Sequence, residues 1–377
     1  MRNIKVNTLI NGYEIIHDAI LVLDNHDRYL AHFSAENFEG EIHEHFDGYV
    51  CPGFVNAHCH LELSHLKNKI AEHTGLVDFI LNVQKLRASN PDEIQQAIEL
   101  AELEMIADGI VAVGDISNGS NSFAQKAKGN ITYHTFLEAL SFTPSRAEIA
   151  IDQMQQLKAQ LESLNLSASI SPHAPYSVSQ ELFKGLETLE ESVYTIHHLE
   201  SAEEQLFLTK KLGVLKKIYE SFNIDISFFA PNFESSSDYW LPHFQVKKLV
   251  LVHNTFLDDY NYALITQAIP ESYFCLCVNA NLYIENRVPD IPSLIKKTKN
   301  ICIGTDSLAS NHQLSIRSEI ESIRKHFPEI PMEFLLQCAT IKGAEALGIE
   351  GAGVFVKGGR VNRFEHSSIR TTVPPQR

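Results

Sequence analysis

The chain is poor in several things, and each shortage removes a class of protein. Cysteine occurs six times in 377 residues, at Cys51, Cys59, Cys275, Cys277, Cys302 and Cys338. These lie mostly inside apolar segments and without a regular spacing, which suits reduced, buried thiols and argues against a disulfide framework. Basic residues are outnumbered, 31 Lys and Arg against 47 Asp and Glu, for a formal charge of −16. With no basic cluster to offset that charge, a nucleic-acid backbone is an unfavourable partner. No apolar run is long enough to cross a bilayer, so no membrane partner is expected. The first residues, MRNIKVNTLINGYEII, lack the apolar core and small-residue cleavage site of a secretory signal, and a cytoplasmic location is the expectation. His-Glu-x-x-His is absent, as is the His-x-Glu with Pro-Cys-x-x-Cys pairing of one class of zinc deaminase.

What is present is ordered. The first fifty residues hold β-branched or alternating runs (IKVNTLI, AILVLD, YLAHFS) separated by Asn, Asp and Gly, the pattern of strands joined by turns. From about residue 50, short apolar runs alternate with helical-period segments, as in parallel strands with crossover helices. Eight such runs can be counted: YVCPGFVNAHCH, GIVAVGDIS, ITYHTFLEA, SASISPHA, VYTIHHLE, KLVLVHNT, YFCLCVNA and NICIGTDS. In most of them a His or Asp falls near the carboxyl end, where barrel enzymes place their chemistry. The expected fold is therefore α/β: a (β/α)8 TIM barrel over residues 51–349. A small β-sandwich-like domain is expected from both termini, 1–50 and 350–377, ending in a polar tail expected to be disordered. An open doubly wound sheet satisfies the count but not the polar residues. Residues 212–244, with several aromatics, read equally as a cap over a site or as a peripheral helix and loop.

The strongest local signal is PGFVNAHCHLELSH. His58 and His60 are two apart on a strand, so they project to one face and can reach one metal. For an isolated pair of this kind, two half-buried histidines with backbone partners is the commoner explanation. The remaining motifs, SPHAPYS, IHHLES, LVHNT and GTDSLASNHQLS, change that balance. Together with PGFVNAHCHL, in this order and at strand ends, they resemble the amidohydrolase superfamily, in its branch of cytosine deaminase, chlorohydrolase and adenosine-type deaminases. The resemblance runs from the first strands to about Ile349.

The resemblance implies that His58, His60, His197 and Asp306 bind one divalent metal, with zinc the favoured ion and iron or manganese compatible. It selects His197 over the adjacent His198, because His-x-x-Glu then places Glu200 as the acid/base. It makes His253 the residue that orients the attacking water. Three neutral imidazoles and a carboxylate leave a net positive ion with an open position for water, whose pKa falls toward neutrality. Asp306 can accept the water proton while Glu200 protonates a ring nitrogen, and ammonia leaves. Without the resemblance, a lone Asp after a strand reads as a helix cap and a lone Glu in a loop as solvated. Relatives with two metals bridge them by a modified lysine, which ITYHTFLEA and SASISPHA lack, so one metal is expected.

His173 matches a substrate-contacting histidine of adenosine-type deaminases. Glu62, two beyond His60, is expected to face the cavity if the strand continues, as a substrate contact or a partner to a ligand. HCHLELSH resembles a variant found in aminodeoxyfutalosine deaminases, which points to adenine-type nucleosides as substrates. The segment CVNANLYIENR departs from the family's usual Cys-Pro-x-Ser-Asn. Two other readings stay open: opening of a cyclic amide or removal of a ring halide at the same metal, and a non-catalytic metal-binding protein. Homo-oligomerisation is left open.

Overall fold

The computed structural model describes residues 1–361 and 369–373. The expected tail at 374–377, and part of the extended carboxyl-terminal run, lie outside the described residues. The three amino-terminal runs form β1 (Arg2–Asn11), β2 (Glu14–Leu23) and β3 (Tyr29–Ser34), with β1 and β2 joined across Gly12, whose φ is 62°. These join β4 (Glu44–Pro52), and the sheet then takes up β13 (Arg360–Val361) and β14 (Ile369–Val373). Its order is β13-β14-β4-β1-β2-β3, so the two ends of the chain meet beside β4.

YVCPGFVNAHCH is not one strand. It breaks at Gly53, leaving β4 in the terminal sheet while β5 (Phe54–Cys59) opens the barrel. Pro52 has no N–H for a ladder, and a side chain on Gly53 would meet Val111 Cγ1 at 2.2 Å and the Thr372 carbonyl at 2.8 Å. The chain can therefore change sheets here only at a residue without a Cβ.

The barrel continues with β6 (Ile110–Ser117), β7 (Thr132–Ala139) and β8 (Ser167–Pro172). It is completed by β9 (Tyr194–His198), β10 (Lys248–His253), β11 (Glu271–Leu276) and β12 (Ile301–Ile303). All adjacent pairs run parallel, in two arcs ordered β5-β6-β7-β8 and β12-β11-β10-β9. KLVLVH and FVNAHC are almost wholly buried, as expected for strands covered on both faces. The helix Pro91–Asp108 starts at the proline, with the Asn90 side chain capping Asp92 N, and stops at Gly109 with φ 89°.

The arcs are joined at residues of the motifs singled out in the sequence. Thr305 N and Asp306 N donate to the His58 carbonyl at 3.0 and 3.1 Å, and His197 N donates to the His173 carbonyl at 2.8 Å. Gly304 permits the first closure, since a Cβ there would lie 2.8 Å from His58 Cβ.

Candidate active site

Strand alternation turns His58 and His60 the same way, and barrel closure brings His197 and Asp306 to them. His60 Nε2 lies 3.1 Å from His58 Nε2 and 3.3 Å from His197 Nε2. Asp306 Oδ1 lies 3.5 Å from His58 Nε2 and 3.3 Å from His60 Nε2. Donors about 3.3 Å apart are the edges of a tetrahedron around an ion with metal–nitrogen distances of about 2.0–2.1 Å, so the set fits a divalent metal. A ring nitrogen of His253 also comes within 4.8 Å of donors on His58, His197 and Asp306. Its Nδ1 is engaged with Asn281 Oδ1 at 2.8 Å, which aims Nε2 toward Glu200 Oε1, 3.6 Å away.

The charges suit that assignment. Burial pushes His58, His60 and His253 down to about 4, leaving neutral rings with lone pairs. Burial opposes ionisation of Asp306, but hydrogen bonding to His58 and its interaction with the His60 and His253 rings hold its carboxyl well below the usual range. His197 differs: burial disfavours its charge, but Glu138, Glu200 and Asp306 outweigh that and raise it to about 9. A metal at Nε2 competes with that proton, so loading releases it. Glu200, buried and not among the close ligands, is pushed up to about 8 by burial, with Asp306 adding and His197 opposing. Its surroundings thus favour the protonated form at neutral pH.

Backbone strain concentrates here. His253, Asn254 and Asp306 have φ of 73°, 57° and 56°, and Leu199, between His198 and Glu200, has 44°. Left-handed backbone is costly for residues with a Cβ and recurs where a site over-determines the chain.

A cavity of about 510 Å3 opens from these groups and is lined by His60, His173, His197, Glu200, His253 and Asp306 at one end. Its other walls are largely apolar, with Phe79, Phe142 and Met154 among them. Ile218, Tyr219, Phe222 and Ile224 also line it, so the 212–244 segment forms part of the wall. His198 faces outward, with Nδ1 beside Asn254 Oδ1 at 3.1 Å.

The chain matches a model of the amidohydrolase family over residues 49–360. It belongs to that family. It is 25% identical over 333 residues to an adenosine deaminase of Helicobacter pylori, covering 86% of this chain and 78% of that one. Its structure resembles Helicobacter pylori aminofutalosine deaminase in complex with methylthio-coformycin, with TM-score 0.77, 23% identity and coverage of 96% and 90%. It also resembles a zinc-bound adenosine deaminase from Xanthomonas campestris, with TM-score 0.68, 18% identity and coverage of 94% and 82%. The last two likenesses establish the amidohydrolase barrel fold.

Within this member of the family, one expected contact moves. Glu62 is not among the residues that line the cavity, because the strand ends at Cys59 and residues Leu61–Leu66 coil into a 3-10 helix, so alternation no longer decides direction. Its Oε1 accepts from Arg87 Nη2 at 2.9 Å and its Oε2 from Asn118 N at 3.2 Å. Burial raises its carboxyl to about 7 even with Arg87 beside it. His173 does line the cavity, with its Nδ1 at 2.6 Å from Ser177 Oγ.

Glu138, at the end of β7, was not singled out by sequence. It lines the cavity, with Oε1 3.2 Å from His197 Nδ1, and its carboxyl is kept ionised against burial by His173, His197 and His60. The available signal was its place at the carboxyl end of ITYHTFLEA, where other runs carry His or Asp. The buried Lys126 is no metal bridge, since its Nζ lies 2.6 Å from Asp115 Oδ2, away from the cavity.

Proposed function

We propose that the protein removes an amino group from a nitrogen heterocycle, with adenine-type nucleosides such as aminodeoxyfutalosine as the substrate class. The observation that carries this reading is Glu200. A buried carboxyl that lines the cavity beside the ligand cluster, in surroundings that favour its protonated form, serves proton delivery better than metal holding. The similarity to deaminases of adenosine and aminofutalosine supports the same choice.

His58, His60, His197 and Asp306 would hold one divalent ion, which when bound polarises a water molecule and lowers its pKa. Nitrogen-rich donors favour zinc, and the zinc-bound relative supports it. Asp306 accepts the proton of the attacking water, and His253, locked by Asn281, positions that water. Glu200 donates to the ring nitrogen next to the carbon under attack, so charge does not build up on the ring. The proton taken by Asp306 then passes to the departing amine, which leaves as ammonia while the new hydroxyl gives its proton back to Glu200 as the carbonyl forms. His173 contacts the substrate along the cavity. Glu62 acts at one remove, by holding Arg87 and Asn118.

The six cysteines are unpaired and buried, which supports a reducing, cytoplasmic setting. No described helix is long and apolar enough to cross a membrane. The test is ammonia release by purified, metal-analysed protein over aminopurine nucleosides, aminopyrimidines and cyclic ureas. Release from the nucleosides is expected. Rapid opening of a cyclic urea with no ammonia from any amino-substituted ring would replace this reading by cyclic-amide hydrolysis.

A further inference from the structure

Glu138 has one carboxylate oxygen in use and one open. Oε2 accepts from Asn118 Nδ2 at 3.1 Å, and Asn118 is itself braced by Arg87 Nη2 at 3.3 Å. Oε1 has no well-formed hydrogen bond, only the ion pair with the His197 ring, although the residue is only 3% exposed. His197 Nδ1 is 3.2 Å away, but that nitrogen is satisfied by the His173 carbonyl at 3.0 Å. A buried acceptor without a donor is costly, and a native structure retains one where something else binds.

The position narrows what that is. Glu138 lies on the Nδ1 side of His197, whereas Nε2 faces the ligand cluster. It is displaced from the reacting centre by the width of an imidazole, in range of a substituent on the ring and not of the carbon under attack. His173 stands beside it with Nδ1 turned to Ser177, leaving Nε2 without a protein partner among the described residues. A second metal between Glu138, His173 and His197 is disfavoured, because it needs the His197 nitrogen already engaged with a carbonyl. A hydroxyl fits both groups, donating to the carboxylate while meeting the imidazole.

We infer that Glu138 is a specificity residue whose Oε1 accepts a hydrogen bond from a sugar hydroxyl of the substrate, with His173 Nε2 as the adjoining contact. This rests on the nucleoside deamination reading. The test compares adenosine, 2′-deoxyadenosine and 3′-deoxyadenosine as substrates of the wild type and of Glu138→Gln, with metal measured in both. In the variant the amide carbonyl can take the Asn118 bond, leaving an N–H group toward the cavity. The wild type is expected to prefer adenosine over the analogue lacking the bonded hydroxyl by roughly 10- to 100-fold in kcat/KM, the span of a hydrogen bond to a charged group. Glu138→Gln should shrink that preference, mainly through KM and with metal content unchanged, because the hydroxyl can then meet only a neutral amide. Equal wild-type rates on all three substrates would overturn the inference alone. An equal loss on all three in the variant would do the same, and loss of metal would show instead that Glu138 orients His197. No ammonia from any of the three with metal-loaded wild type would remove the nucleoside reading and the inference together.

Discussion

Asp115 and Asp306 flank the same residue of the first barrel strand, Cys59, from β6 on one side and from the end of β12 on the other. Both are buried. Asp115 is closed: it accepts from Leu61 N at 2.8 Å and pairs with Lys126 Nζ at 2.6 Å, both side chains fully buried. Asp306 is open: Ser310 Oγ holds Oδ2, while Oδ1 faces two imidazole nitrogens whose rings burial keeps neutral. A buried acid beside a built-in cation completes a structure. One turned to converging neutral nitrogens completes a site only when a cation arrives.

Breaking the open member should cost most. Asp306→Asn is expected to abolish turnover and weaken metal retention, because it removes a ligand charge and a proton acceptor together. Glu200→Gln is expected to lower turnover by roughly 10²- to 10⁴-fold while metal content and folding survive. Metal analysis beside kcat separates the two. Loss of metal from Glu200→Gln would make Glu200 a ligand and require the site to be redrawn.

Breaking the closed member should act on the fold instead. Lys126→Met leaves Asp115 buried without its cation and should destabilise the protein by about 3–5 kcal/mol, measured by denaturant unfolding. Folded protein recovered at low temperature should still bind one metal. Loss of metal with unchanged stability would mean that the two aspartates are not separable in this way.

The smallest effect expected is on pH. The role proposed for Glu200 requires its proton, and burial raises it to about 8, so turnover should decline as pH rises through that value. Glu200→Gln should lose that alkaline limb from its residual rate. A wild-type profile flat to well above pH 8 would contradict the role given to Glu200.

The barrel was legible because it rests on period, whereas His197 and Asp306 were reached only through the resemblance to the amidohydrolase superfamily. Alternation puts His58 and His60 on one face, and polar residues gather at one end of buried strands. Period fails where the chain leaves its element, and there the sequence misleads. Glu62 was assigned by extending a strand that ends at Cys59. The break between sheets at Gly53 was invisible inside one apolar run, since it depends on Val111 and the Thr372 carbonyl, both distant in sequence. Glu138 carries no local signal beyond its place at the carboxyl end of its strand. Its neighbours Asn118, itself braced by Arg87, and His197 come from other segments, which no local pattern joins.

The most direct test follows ammonia and metal in the same sample: adenosine is offered to wild-type protein at graded metal occupancy, and ammonia is counted against deaminated product. The account predicts one ammonia per product and a rate proportional to occupied sites up to one ion per chain. Ammonia release that persists after complete removal of metal, or that keeps rising to two tightly held ions per chain, would contradict it.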